Sequence, residues 1–223
     1  MSFEYLNSVK DKIKQADLTP FSMSGHCNLM DKDRIGDFIS NMRLAAFFGC
    51  DYIVSSIGEA HLKDNTVISN EKVARQIQTL VPYLEEYKLV LVLENHGDHS
   101  TGKIIKEIVD QVASPLVQIN YDTANVIYYA GIDPLDDLPA CVDRVGYVHI
   151  KDKIGGPREW NFPALGEGQI DFGRLLKILD DAKNSSPLSI EIEFTSDGTK
   201  SIDEVNAAVK KSYAYLKQLG LDF

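Results

Sequence analysis

Four short apolar segments of the chain carry, at or near their C-terminal ends, a residue that can bind a divalent cation. These residues are Glu94 in "LVLVLE", Asp122 in "LVQINYD", His149 in "VGYVHI" and Glu191 in "LSIEIEF". If they converge, their three carboxylates repel one another, and a divalent cation would relieve the repulsion. Three oxygen donors and one nitrogen donor suit Mn²⁺, Mg²⁺, Co²⁺ or Zn²⁺ better than a metal that prefers thiolates.

Each of these residues also has a purely structural explanation when it is taken alone. A glutamate at a strand end, such as Glu94, is most often a solvated loop residue, and Asp122, which precedes Thr123, could cap the following helix. A histidine on an apolar strand is more often a hydrogen-bonded core residue than a ligand. Glu191 and Glu193 point to one face of their strand because side chains alternate, so either could reach a metal. The recurrence at equivalent positions of successive strands is what favours the metal site.

Six strands separated by helices are predicted to position these residues. Apolar residues recur at helical spacing between the strands, as in the segment that begins at Ile35, and an opening helix is predicted over residues 3–16. Such alternation indicates an α/β fold with a parallel sheet covered by helices, in which active sites form at the C-terminal ends of strands. The long irregular segment 151–171 is predicted to be a functional loop. The predicted strands are 21–25, 51–56, 89–94, 116–122, 145–150 and 188–194.

The composition is that of a soluble globular protein, with 223 residues, 44% hydrophobic and 25% charged. We expect one domain over residues 1–223. The net charge of −10 disfavours nonspecific binding to nucleic acid or anionic membranes, and no apolar run approaches the length of a membrane span. The three cysteines form no CxxC pair and are expected to be reduced and mostly buried. Without a secretory segment at its start, the chain is expected to be cytoplasmic.

Several motifs resemble the xylose isomerase-like TIM-barrel superfamily of sugar-phosphate isomerases and epimerases. The similarity spans nearly the whole chain, and the order of the motifs is more specific than any one of them. The resemblance implies that Glu94, Asp122, His149 and Glu191 bind a divalent metal, with Mn²⁺ as the most expected ion. The motifs are "SMSGHCNLMDKD", "LVLENHG", "YDTANV", "YVHIKDK", "LGEGQIDF" and "PLSIEIEF".

The resemblance also implies an activity, that of an isomerase or epimerase acting on a small sugar, sugar phosphate or polyol. Glu94 and Glu191 would act as acid and base on a carbon next to a carbonyl, through an enediolate. A dehydratase of keto-sugars or inososes, and a truncated, non-catalytic metal-binding relative, are the alternatives. The apurinic endonuclease branch is disfavoured because Asn125 stands where a further histidine would be needed, and because the chain is acidic.

Further residues are implied to contact the substrate or to orient the ligands. Glu193 would then hold the ligand residues in position. For His26 and His61, a role in the core or on the surface is the alternative to a role in the site. The implied substrate contacts are His96, Asn125, Lys151, Glu167 and His26.

The number of strands predicts an incomplete barrel. A complete (β/α)₈ barrel has eight strands in ~250 residues, whereas six are found here. If the strand ending at Glu94 is the fifth of the family, the family's first strand, first helix and second strand have no counterpart. Because open sheet edges are normally covered or paired, we expect either a partner subunit in the gap, and hence a homo-oligomer, or an edge covered by the N-terminal helix.

Overall fold

A computed structural model describes residues 2–58 and 68–221 of the chain. Its strands are β1 (Ser22–Ser24), β2 (Tyr52–Ser55), β3 (Val90–Glu94), β4 (Val117–Asp122), β5 (Val145–Ile150), β6 (Asn161–Phe162), β7 (Leu188–Ile190) and β8 (Phe194–Thr195). Its α-helices are α1 (Phe3–Gln15), α2 (Ile35–Phe48), α3 (Asn70–Gln78), α4 (Val81–Tyr87), α5 (Gly102–Val112), α6 (Pro134–Asp137), α7 (Phe172–Asp181) and α8 (Ile202–Gln218). A π-helix covers Val126–Ala130, and 3₁₀ turns cover Leu138–Ala140 and Val142–Arg144.

Six of the strands form one parallel sheet in the order β1-β2-β3-β4-β5-β7, which confirms the predicted strands and the α/β class. The last strand is shorter than the predicted 188–194, because the chain leaves the ladder after Ile190. Phe194 and Thr195 instead pair antiparallel with β6. Since β6 lies inside the predicted loop 151–171, this two-residue ladder joins the loop to the segment that follows β7.

Six of the eight described α-helices begin at a residue whose side chain caps them, whereas α2 and α4 have no side-chain cap. Thr101 accepts a hydrogen bond from the amide of Ile104 at the start of α5, and Asp171 accepts one from Arg174 at the start of α7. One side of α5 is buried against the sheet, as its apolar spacing predicts. The buried apolar residues of α5 are Ile105, Ile108, Val109 and Val112.

The sheet has two faces of different character, and β3 shows both. Leu91 and Leu93 belong to the large core between the sheet and the helices, which we call the outer face. Val92 lies on the opposite, inner face, in a separate cluster with Val54 and Tyr147. Because side chains alternate along a strand, Glu94 follows Val92 on the inner face.

The inner face is closed by aromatic rings at the N-terminal ends of the strands. Tyr147 stacks on Phe21 with ring centres 5.8 Å apart, and it is tilted against Tyr52 at 5.5 Å. A hydrogen bond of 2.8 Å joins the hydroxyls of Tyr147 and Ser22. The inner face is therefore apolar at this end and polar at the C-terminal end.

The described sheet does not close into a full barrel, since β1 and β7 are its two edge strands. Helix α1 has no buried residue, and it lies beside α2, where Lys10 donates to the carbonyl of Phe47 at 2.7 Å. A partner subunit in the gap stays a prediction. All three cysteines are buried, as expected. Among the described helices, none is both long and apolar enough to cross a membrane.

Candidate metal centre

The four predicted ligands converge at the C-terminal end of the inner face. Glu94 ends β3, Asp122 ends β4, His149 is in β5, and Glu191 follows β7 directly. The strands are in register there, since Asp122 pairs with His149. Each residue offers one ligand atom, and the four atoms all lie within 4.8 Å of one another. The sheet therefore brings together the predicted set, with Glu191 rather than Glu193 as its last member.

Asp122 shows both of the roles that its sequence position allowed. Its Oδ1 atom accepts hydrogen bonds of 2.8 Å from the amides of Ala124 and Asn125, which caps the following turn. Its Oδ2 atom is buried and accepts no hydrogen bond from any residue that the structure describes. The nearest cationic groups are Lys151 Nζ at 3.6 Å and His149 Nδ1 at 4.0 Å. A buried carboxylate oxygen without a hydrogen bond is costly, and a cation in the cluster would satisfy it.

His149 lies between the two glutamates of the cluster. Its Nδ1 atom is 2.6 Å from Glu94 Oε1 and 2.7 Å from Glu191 Oε2. Because Nδ1 carries at most one proton, it can donate to only one of these oxygens, and Glu191 Oε2 is left without a well-aligned donor among the described residues. The donor set and its unsatisfied oxygens therefore fit a divalent cation.

Burial and mutual contacts shift the protonation of the cluster. Burial alone would lower the pKa of His149, but hydrogen bonds with Glu191 and Glu94 outweigh it and raise the pKa well above its usual value. Burial would raise the pKa of both glutamates, yet their contacts with His149 hold Glu94 well below its usual pKa and Glu191 at about 2. Burial raises the pKa of Asp122 to about 7, although Lys151 opposes the shift. A proton on His149 thus balances the carboxylates when no metal is bound.

Lys151 supplies a second, permanent positive charge beside the cluster. Its buried Nζ atom is 3.0 Å from Glu193 Oε2 and 3.2 Å from Glu191 Oε1. Burial would lower the pKa of Lys151, but the surrounding carboxylates, Asp122 first, raise it. Glu193 is therefore placed to support Lys151, while Glu191 faces the ligand cluster.

Two asparagines that the sequence reasoning missed hold the ligands in place. Asn120 Oδ1 accepts from the amide of His149 at 3.1 Å, and Asn120 Nδ2 lies 3.3 Å from Glu94 Oε1. Asn95 pairs with both backbone groups of Asp122, at 2.7 and 2.9 Å. A signal for Asn120 was present in the sequence, because it precedes Asp122 by two positions in an apolar strand and so shares its face.

A cavity of about 580 Å³ opens above the cluster. His26, His96, Asn125 and Lys151 line it, as predicted for substrate contacts. His26 Nε2 also lies 3.2 Å from Glu94 Oε2. His61 lies outside the described residues.

Glu167 does not line this cavity, so the structure gives no support to its predicted role as a substrate contact. Its side chain is nearly half exposed and forms an ion pair of 2.5 Å with Lys211 of α8. The reason lies in its neighbours: the amides of Gly166 and Gly168 both donate to Asp152 Oδ2, at 2.9 and 2.8 Å. A Cβ atom on Gly168 would lie 2.2 Å from Asp152 Oδ1, so the glycine-rich motif serves to wrap the loop around Asp152.

A family profile described as a xylose isomerase-like TIM barrel matches residues 1–219. The chain belongs to this family. An inosose dehydratase of Clostridium perfringens (strain ATCC 13124) is 28% identical in an alignment of length 156, which covers 60% of this chain and 52% of the relative. The chain thus spans about half the length of this curated relative of the family.

Solved structures agree with this assignment at the level of the fold. A xylose isomerase domain protein from Planctomyces limnophilus has a TM-score of 0.77 at 20% identity, covering 98% of this chain and 82% of that one. The IOLI protein with a binding zinc atom has a TM-score of 0.76 at 20% identity, covering 97% and 83%. An L-ribulose 3-epimerase has a TM-score of 0.75 at 16% identity, covering 96% and 79%. The sheet is therefore a large part of a TIM barrel.

Proposed function

We propose that this protein is a divalent-metal-dependent isomerase or epimerase that moves a proton at a carbon next to a carbonyl in a sugar or polyol. The observation that carries the proposal is the convergence of four ligand atoms at the base of a cavity, with Asp122 Oδ2 buried and without a hydrogen bond among the described residues. The names of two related folds support it, since one was solved with zinc and one is an epimerase.

Glu94, Asp122, His149 and Glu191 would hold the metal. When bound, a divalent ion would polarise the substrate carbonyl and make the neighbouring C–H group more acidic. The three carboxylates and one imidazole favour Mn²⁺, with Mg²⁺, Co²⁺ and Zn²⁺ as further candidates.

Glu94 and Glu191 are proposed as the acid and base. They approach His149 Nδ1 from β3 and from the end of β7, so they stand on different sides of the cavity floor. Their lowered pKa values leave both carboxylates ionised at neutral pH, the state that a proton acceptor needs. One ionised glutamate would remove the proton to give an enediolate, and the other, after taking up a proton from solvent, would deliver that proton to the opposite face of the same carbon.

A dehydratase of keto-polyols is the second candidate, and the relatedness to an inosose dehydratase favours it. The same base would remove the proton, after which a hydroxyl on the adjacent carbon would leave as water. Product analysis separates the two candidates, because an epimerase yields an isomer of the same mass and a dehydratase yields a product that has lost water.

Proton exchange in D₂O tests the proposal most sharply. Protein loaded with Mn²⁺ is incubated with a panel of ketoses and keto-inositols, and deuterium at the carbon next to the carbonyl is followed by NMR. We expect exchange with the wild type and none with Glu94→Gln or Glu191→Gln. Glu167→Gln is the matched control, since its side chain lies away from the cavity. Exchange that survives in either cavity variant would refute the assigned acid–base roles.

A chain that binds metal but exchanges no substrate proton would instead be a non-catalytic relative. The cytoplasmic location and the homo-oligomer stay predictions.

A further inference from the structure

The two oxygens of the Glu94 carboxylate have different partners. Oε1 lies 2.6 Å from His149 Nδ1 and 3.3 Å from Asn120 Nδ2, so it belongs to the ligand cluster. Oε2 lies 3.2 Å from Nε2 of His26, which follows the edge strand β1 by two residues. The terminal torsion of a glutamate side chain has no sharp preference, so these contacts, and not the rotamer, determine where each oxygen points.

His26 is held in place through its ring and through its backbone. Ser24 Oγ lies 2.8 Å from Nδ1 of the imidazole, and both residues line the cavity. Between them, the amide of Gly25 donates to the carbonyl of Val54 at 2.9 Å. A Cβ atom on Gly25 would lie 3.0 Å from Ile53 Cδ1, so the chain packs directly on β2 at this point. The position of the imidazole is therefore set by the sheet.

The donors and acceptors in this row of contacts fit one tautomer of neutral His26. An ionised carboxylate accepts hydrogen bonds and donates none, so Nε2 carries the hydrogen that Glu94 Oε2 accepts. Nδ1 is then the acceptor of the neutral imidazole, and the hydroxyl of Ser24 donates to it. A carboxylate oxygen has two acceptor sites, so Oε2 keeps one of them for a proton from a bound molecule.

We propose that His26 is a positioning residue for the proposed reaction and that, together with Ser24, it aims Oε2 of Glu94 at the substrate and leaves Oε1 for the metal. This inference rests on the proposed function and deepens it, because it gives separate tasks to the two oxygens of one residue. When Glu94 acts as the base, Oε2 forms the new O–H bond, the C–H bond of the substrate breaks, and its electron pair passes into the enediolate.

This role differs from the substrate contact that the sequence predicts for His26. Both ring nitrogens already have partners within the protein, Ser24 at Nδ1 and Glu94 at Nε2, which leaves the ring without a polar atom for a substrate. The two roles also differ in kinetics. Losing a uniform binding contact raises KM, whereas losing a residue that aims the base lowers kcat.

The tautomer of His26 is measured without any turnover. Long-range proton–nitrogen NMR spectra of the full chain, loaded with diamagnetic Zn²⁺ and recorded at about pH 8, show which ring nitrogen of a neutral histidine carries the hydrogen. The chain has five histidines, and the signals of His26 are those that His26→Gln removes. We expect the hydrogen on Nε2 in the wild type and a mixture of tautomers in Ser24→Ala, which lacks the hydroxyl that faces Nδ1.

Deuterium exchange by the Mn²⁺-loaded protein, with a ketose that the wild type exchanges, measures the effect on the reaction. His26→Ala should lower kcat about 10–100-fold, the usual range for losing a hydrogen bond to a charged group, with KM and Mn²⁺ affinity within about twofold of the wild type. His26→Gln should recover part of the rate, because its amide N–H can also donate to Oε2. Ser24→Ala should lower kcat less than about tenfold, since it removes a hydrogen bond between neutral groups.

Three outcomes would overturn the inference: a hydrogen on Nδ1 of wild-type His26, a raised KM with unchanged kcat in His26→Ala, or a loss of Mn²⁺ affinity in both His26 variants. A failure of the proposed function is different, because the wild type itself would then exchange no proton with any ketose or keto-inositol. The proton-transfer task of Oε2 would fall with it, and the tautomer would still decide whether Ser24 and His26 hold Glu94.

Discussion

Leu93 and Glu94 are neighbours on β3 and lie on opposite faces of the same sheet. Both are almost fully buried, with exposed fractions of 0% and 4%, yet burial has opposite consequences for the two. Burying a leucine side chain stabilises a fold by about 1.5–3 kcal/mol, whereas burying a carboxylate costs free energy unless it is paired. The outer face therefore holds the fold together, and the C-terminal end of the inner face carries the proposed metal ligands.

The same contrast continues along the strands. The outer face of β4 and β5 contributes Ile119, Tyr121, Val148 and Ile150 to the large core. Their inner face carries Asp122, His149 and other polar side chains. If the two faces have separate roles, substitutions on one should affect stability and substitutions on the other should affect metal binding.

The largest expected effect on stability lies on the outer face. Leu93→Ala should lower the free energy of unfolding by about 2–5 kcal/mol, because it leaves a cavity in a fully buried core. Urea unfolding of the metal-free protein measures this. The volume-conserving Leu93→Met should cost less than about 1.5 kcal/mol. A loss of metal affinity in folded Leu93→Ala would contradict the separation of the faces.

The next largest effect is expected on metal affinity. It lies on the inner face, at a residue that contacts two of the proposed ligands without being one itself. Asn120→Ala removes the contacts with Glu94 and with the backbone of His149. Metal affinity should fall about 10–100-fold, the usual result of losing a group that holds a ligand in place. Calorimetric titration with Mn²⁺ measures the change. Gln118→Ala, two positions earlier on β4, is the control and should bind Mn²⁺ like the wild type. Equal losses of affinity in both variants would show that disturbing the strand, and not losing the Asn120 contacts, causes the effect.

A smaller effect is expected at the N-terminal end of the inner face. Tyr147→Phe keeps the ring that stacks on Phe21 and removes the hydroxyl bonded to Ser22. The cost should be about 0.5–1.5 kcal/mol of unfolding free energy, with metal affinity unchanged. A double-mutant cycle with Ser22→Ala isolates the hydrogen bond, and additive effects in that cycle would show that the two hydroxyls do not interact.

The smallest effect is expected at a solvent-exposed ion pair outside the sheet. A hydrogen bond with Lys106 is the main cause that lowers the pKa of Asp143. The pair therefore stabilises the protein above the unfolded pKa of Asp, about 3.9, and this contribution is lost as the pH falls through the lower folded-state pKa. Asp143→Asn should cost less than about 1 kcal/mol at pH 7. The free energies of unfolding of wild type and variant, measured at several pH values, should converge at low pH. A difference that stays constant with pH would show that the charge of Asp143 does not cause it.

The sequence could predict what depends on local pattern. Alternation along a strand placed Glu94, Asp122 and His149 on one face, and parallel topology placed their strand ends together. Residues in the segment 151–171 could not be placed in this way, because its path depends on contacts between distant residues. Glu167 lies away from the cavity, since Asp152 draws both flanking glycines inward, and Trp160 gave no local signal of the cavity that it lines.

The end of the last strand was also set by tertiary structure. The apolar and charged alternation in 188–194 fits a strand throughout, but Phe194 adopts a positive φ of 61° and pairs with β6. This bend follows Glu191 and Glu193, which are both lining residues of the cavity. The family resemblance favoured Glu191 over Glu193 as the ligand, and the structure places Glu191 in the cluster and Glu193 beside Lys151.

Equilibrium binding of Mn²⁺ tests the central claim most directly. Chelator-treated protein is titrated with Mn²⁺, and the free ion is followed by electron paramagnetic resonance. We predict one tightly bound ion per chain, at least about 100-fold weaker binding in Glu94→Gln and in Asp122→Asn, and wild-type binding in Glu167→Gln. Wild-type protein that binds no Mn²⁺, or Asp122→Asn protein that binds it as tightly as the wild type, would contradict the account.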